Sequence, residues 1–93
     1  MSEFRIFETD QFRQRLLKLP TRDAERIQKK LEDQIYPQLR EEPYFGRNIK
    51  KLRGYFPDTW RYRIGRFRMF YSIGSADHVV AILTVDLRRD AYR

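Results

Sequence analysis

The chain has 93 residues, 41% of them apolar and 15% aromatic, enough for one packed core and too few for a second. Twenty Lys and Arg against 13 Asp and Glu give a net charge of +7, and the absence of cysteine excludes disulfides, thiolate zinc sites and cysteine nucleophiles. No apolar run suits a signal peptide or a membrane span, so the expectation is a cytoplasmic chain with no membrane partner.

In chain order, Phe4-Arg5-Ile6-Phe7 alternates as a short strand, and Thr9 or Asp10 supplies an oxygen to cap a helix. Phe12, Leu16 and Leu17 set that helix's apolar side, and Pro20 ends it. Thr21 opens a second helix, whose stripe runs Ala24, Ile27, Leu31, Ile35 between charged residues, with Pro37 as its end or kink. Gln38 to Gly46 fits neither period and reads as an ordered loop whose aromatics return to the core. Ile49 to Arg53 is a strand closed by Gly54.

The hairpin that follows is the clearest local signal. Trp60 to Ile64 and Phe67 to Ile73 alternate on either side of Gly65-Arg66, which has the glycine first, as a type II′ turn requires. A two-residue turn fixes the register, with Ile64 opposite Phe67, Arg63 opposite Arg68 and Trp60 opposite Tyr71. Trp60, Tyr62, Ile64, Phe67, Met69 and Tyr71 then share an apolar side, while Arg61, Arg63 and Arg68 stand together on the other. Val79 to Val85 is apolar at almost every position, as a central strand covered on both faces would be. The expected architecture is α+β: β-α-α-β-β-β-β, a mostly antiparallel sheet with two helices on one face, in a single domain over residues 1–93.

The charge is unevenly placed. Residues 1–46 hold nine basic and nine acidic residues; residues 47–93 hold eleven and four. Fifteen of the twenty basic residues are arginine, whose planar fork grips phosphate and stacks on bases. Like charges directly opposed across a ladder cost roughly 0.2–1 kcal/mol, so a fold that keeps Arg63 against Arg68 is expected to use them. Arg47, Lys50, Lys51 and Arg53 precede this patch and Arg88 and Arg89 follow it, with Asp58, Asp77, Asp86 and Asp90 as the only offsets. With Phe70 and Tyr92 available for stacking, an arginine-rich open sheet suits RNA or another single strand. The lone His78 reads as a surface turn residue and Trp60 as core. No metal-ligand spacing and no phosphate loop is present, so neither metal nor cofactor is expected.

The element order, Lys51-Leu52-Arg53-Gly54, the hairpin from Trp60 to Tyr71 and the ending Val85-Asp86-Leu87-Arg88-Arg89-Asp90-Ala91-Tyr92-Arg93 together resemble the RelE/ParE superfamily of bacterial toxins, nearly end to end. The resemblance implies the toxin of a type II toxin–antitoxin pair, held inactive by a cognate antitoxin laid over the sheet. The RelE-like branch implies a metal-independent endoribonuclease, an mRNA interferase that cuts mRNA on the ribosome. On that pattern Arg61, Arg68, Arg88 and Tyr92 are catalytic, and Lys50, Lys51, Arg53, Arg63 and Arg89 bind RNA. At the positions of Arg61 and Arg63 the RelE-like pattern carries lysine. The alternatives are a ParE-like inhibitor of DNA gyrase without RNase activity, and an inactive RNA-binding module.

Overall fold

The computed structural model describes residues 3–87. Its element order is β1 (Arg5–Glu8), α1 (Asp10–Lys18), α2 (Thr21–Lys30), a π-helical turn (Leu31–Ile35), α3 (Tyr36–Glu41), β2 (Ile49–Lys51), β3 (Trp60–Ile64), β4 (Phe67–Gly74) and β5 (Val79–Leu87). The five strands form one sheet in the order β1-β5-β4-β3-β2. The first strand lies parallel to the last, Arg5 beside Val79 and Glu8 beside Ile82. Every other pairing is antiparallel.

Thr9 joins the first two elements. Its hydroxyl accepts from the Phe12 amide at 3.2 Å, which caps α1, and donates to the Ile82 carbonyl at 2.7 Å, which ties the helix start to β5. Asp10 in the first turn and Arg15 and Lys18 in the last complement the helix dipole. Phe12 and Leu16 are buried, but Leu17 is 83% exposed and belongs to the outer surface rather than to the expected apolar side. It follows Leu16 directly, and residues one apart on a helix do not share a face.

Pro37 neither ends the second helix nor breaks it. A proline in a helix lacks an N–H and crowds the carbonyl four residues back. The wider turn meets both problems: the Tyr36 amide reaches the Leu31 carbonyl five residues earlier, and Pro37 falls in the first turn of α3, where a missing N–H costs least. The helix therefore continues to Glu41, into the stretch expected as loop, and brings Tyr36 and Leu39 into the core. Beyond it Tyr44 packs edge-on against Phe4 and Trp60, at 5.9 and 5.7 Å between centroids, whereas Phe45 is 77% exposed. β2 stops at Lys51, two residues short of the expected end.

The hairpin has the expected register at every pair from Trp60–Tyr71 to Ile64–Phe67. Gly65 takes φ 59°, the left-handed conformation that the first turn position demands. Tyr62, Met69, Tyr71, Val80 and Ile82 meet Phe12, Ile27, Leu31, Ile35 and Leu39 in a single core on the helix side. β5 differs from the expectation, since Val79, Ala81 and Leu83 on its other face are only half-buried. It also carries a bulge: Phe70 pairs with Thr84 but Tyr71 pairs with Ile82, so Leu83 is the extra residue. The bulge resets the alternation. Val80 and Ile82 face the helices before it, Val85 after it, and Thr84 and Asp86 are turned to the far face.

Candidate functional site

Strand register assembles the site on the face away from the helices. Lys50 is the partner of Arg61, Arg61 of Phe70, and Phe70 of Thr84, which makes one row across four strands. In the next row Arg63 opposes Arg68, and Arg68 opposes Asp86. Four of the anticipated basic residues, Lys50, Arg61, Arg63 and Arg68, are thus gathered on one face. Lys50 and Arg63 are exposed, while Arg61 and Arg68 are half-buried.

Arg61 is the most constrained of them. Burial, and secondarily the charge of Arg63, lowers its pKa below the usual arginine value. Its Nε and the Oγ1 of Thr84 are both buried without a hydrogen-bond partner among the described residues. A buried donor left open in this way costs stability and favours any acceptor brought to it. Thr84 was missed at the sequence level. One signal was available, since it is the polar residue that interrupts the apolar run of β5; its place opposite Phe70 depends on the bulge and shows only in the structure.

Other anticipated residues are placed differently. Phe70 is 2% exposed, so it does not offer a stacking surface. Lys51 pairs with Trp60, on the helix side of the sheet, with its Nζ 5.6 Å from the Trp60 centroid and 3.4 Å from an Asp58 oxygen. Adjacent strand residues point to opposite faces, which separates it from Lys50. Arg53 is exposed in the turn after β2. Asp86 forms an ion pair with Arg15 of α1. His78 sits in the β4–β5 turn at φ 57°, packed on Phe4 at 4.8 Å. Arg88, Arg89 and Tyr92 lie outside the described residues.

Clustered guanidiniums and an ammonium on a sheet can neutralise phosphates and stabilise charge that develops on them. Asp86 is the sole carboxylate that the strand register puts on this face among the described residues, and Arg15 holds it.

A small α+β domain with helices on one side of a mixed sheet and arginines on the other is the architecture of the RelE/ParE superfamily of toxins. The chain belongs to the ParE toxins of type II toxin–antitoxin systems, parDE, whose family profile matches residues 6–92. No curated protein matches the sequence. Among solved structures, the toxin–antitoxin complex RelBE2 of Mycobacterium tuberculosis is similar at 30% identity and TM-score 0.72, over 92% of this chain and 99% of that one. The archaeal RelE–RelB complex of Pyrococcus horikoshii aligns at 28% identity and TM-score 0.70, over 98% and 100%. The isolated RelE toxin of E. coli shares the fold at 24% identity and TM-score 0.66, over 97% and 86%. Among the described residues, no helix is long and apolar enough to cross a membrane.

Proposed function

We infer that this toxin cleaves mRNA on the ribosome. The observation that carries the reading is the row geometry: Lys50, Arg61, Arg63 and Arg68 share the sheet face that the helices leave alone. The RelE-like fold of its structural neighbours supports it.

In the reaction the ribose 2′-oxygen forms a bond to the adjacent phosphorus, and the bond from phosphorus to the 5′-oxygen breaks. Charge builds on the non-bridging oxygens between these events. Arg61, Arg63 and Arg68 meet that charge, each well-placed donor lowering the barrier by roughly 2.7–4 kcal/mol if it acts as an oxyanion-hole donor does. Lys50 and Arg53 hold flanking phosphates. Arginine stays protonated and is a poor base, so the 2′-hydroxyl proton passes to a group other than these and the departing 5′-oxygen takes a proton up; the resemblance adds Tyr92 and Arg88 to the catalytic residues. The ribosome holds the strand in line, while the sheet supplies the charge.

The partner in the cell is a cognate antitoxin, as in the RelBE and RelE–RelB complexes that the fold matches. Its acidic segments are drawn to the same basic face and block RNA from it. The site of action is the cytoplasm. Arg68→Ala is expected to abolish growth arrest and translation-dependent cuts in mRNA, read by primer extension, with an unchanged circular dichroism spectrum. Full toxicity in that variant at equal expression removes the site assignment. The ParE family match favours a second reading, inhibition of DNA gyrase by the same face. Induction of the DNA-damage response with uncut mRNA selects it.

A further inference from the structure

A second feature lies on the helix side of β2, across the strand from Lys50. A cavity of about 330 Å³ opens there between the Tyr44–Gly46 segment and the start of β3, lined by Tyr44, Phe45, Ile49, Lys51, Asp58 and Trp60. Three of the side chains in its walls are aromatic. Phe45 presents 77% of its surface to solvent, and Tyr44 and Trp60 meet edge to face behind it. Two groups of opposite character stand together in it, the Lys51 ammonium and the Asp58 carboxylate, 3.4 Å apart and both more than half exposed. An exposed ion pair of this kind contributes little to stability.

We propose that this cavity binds a guanine base of the same single-stranded RNA whose phosphates lie on the arginine face. The proposal rests on the RNA-binding reading above. Phe45 supplies a flat ring for stacking, which any base accepts. The polar pair supplies the selection. Guanine presents two adjacent donors, N1–H and the N2 amine, that a carboxylate accepts together, and beside them the O6 acceptor for an ammonium. Cytosine offers Asp58 one donor and adenine no N–H at N1. The path for the strand is short: Lys50 and Lys51 are consecutive residues of the sheet's edge strand and point to opposite sides of it. A chain with its phosphates on Lys50, Arg61 and Arg63 needs only to turn over that edge to deliver a base. The second half of the sequence, where the net charge resides, supplies both sides of that edge.

Trp60 is the only tryptophan in the chain and forms part of this cavity's wall, so its fluorescence is the signal for occupancy there. The full-length toxin is titrated with guanosine and, for comparison, cytidine, following Trp60, and with an end-labelled single-stranded oligoribonucleotide followed by anisotropy. The expected result is a saturable Trp60 response to guanosine, at least fivefold weaker for cytidine. Asp58→Asn weakens guanosine binding roughly tenfold or more, in the range of a lost bidentate base contact, with an unchanged thermal midpoint. Phe45→Ala weakens both nucleosides. An oligonucleotide that binds without any Trp60 response overturns the pocket and leaves the arginine-face reading standing. A guanosine response in a toxin that cuts no mRNA keeps the pocket and removes the nuclease. Loss of antitoxin binding in Phe45→Ala and Asp58→Asn, with guanosine binding unchanged, assigns the cavity to the protein partner and overturns the proposal.

Discussion

The two faces of the sheet are made by alternate residues of the same strands, yet they obey opposite rules. Toward the helices, Met69, Tyr71, Val80 and Ile82 are fully buried, and the polar atoms there are satisfied: Tyr36 donates to Glu8 at 2.7 Å, Tyr62 to Gln38 at 2.6 Å, Tyr71 to the Pro43 carbonyl at 2.8 Å. Away from the helices Arg63 faces Arg68, and Arg61 and Thr84 each keep a buried polar atom open. The helix side has its polar atoms paired; the other side keeps two of them open and sets like charges opposite each other. A sheet built this way keeps its unfavourable contacts on the face for which RNA binding is proposed, where phosphates would relieve them, and leaves the helix side to supply stability.

That contrast is most sharply broken on the helix side. Phe12→Ala removes a ring with no exposed surface and is expected to cost about 3–5 kcal/mol, read by urea denaturation. Next in size is Tyr36→Phe, which deletes the hydrogen bond to Glu8 and is expected to cost about 1.5–3 kcal/mol at neutral pH. The same variant tests a pH dependence. Burial first, then the bond to Glu8 and its charge, push the Tyr36 phenol well above its ordinary value, and burial does the same for Tyr71. The folded chain keeps these protons at a pH where the unfolded chain releases them. Stability is therefore full below about pH 10 and falls as pH rises beyond it. Tyr36→Phe should flatten that fall by one proton's worth.

On the far face the signs reverse. Thr84→Val replaces an unpartnered buried hydroxyl by a methyl of similar shape, and should stabilise the fold by about 1 kcal/mol. Arg63→Thr relieves the opposed charges and should stabilise by roughly 0.2–1 kcal/mol, more at low salt, while weakening the RNA binding proposed for this face. Destabilisation by either substitution would remove the distinction between the faces.

How much of this was legible in the sequence depended on how strongly local chemistry constrained each stretch. Gly65-Arg66 permits one short turn, and the strict alternation around it leaves one register, so the arginine face could be written down from residues alone. β5 was opaque for the opposite reason. When Val79 to Leu83 are all apolar, either phase suits a half-buried strand, and nothing local marks Leu83 as the extra residue. The π-helical turn was hidden because Pro37 carries the usual signal of a helix end, and only the packing of Tyr36 and Leu39 decides otherwise. Lys51 was grouped with its basic neighbours by charge, although the alternation of a strand already separates it from Lys50. The burial of Phe70 has no counterpart in pattern, since its place on the arginine face was read correctly and its exposure was not.

The order of the strands has a consequence for how the chain comes into being. β5, the last of the described strands in chain order, lies inside the sheet, between β1 and β4. At about 5–20 residues per second, β1 waits roughly 4–15 s on the ribosome before Val79 arrives to pair with Arg5. Until then the hairpin of β3 and β4 has one neighbour instead of two, and Thr9 has no carbonyl of Ile82 to hold α1 in place. Any chain cut short within residues 79–87 loses an inner strand rather than an edge, and with it the Thr84 end of the row that runs through Arg61, so the arginine face is completed only once β5 has been made.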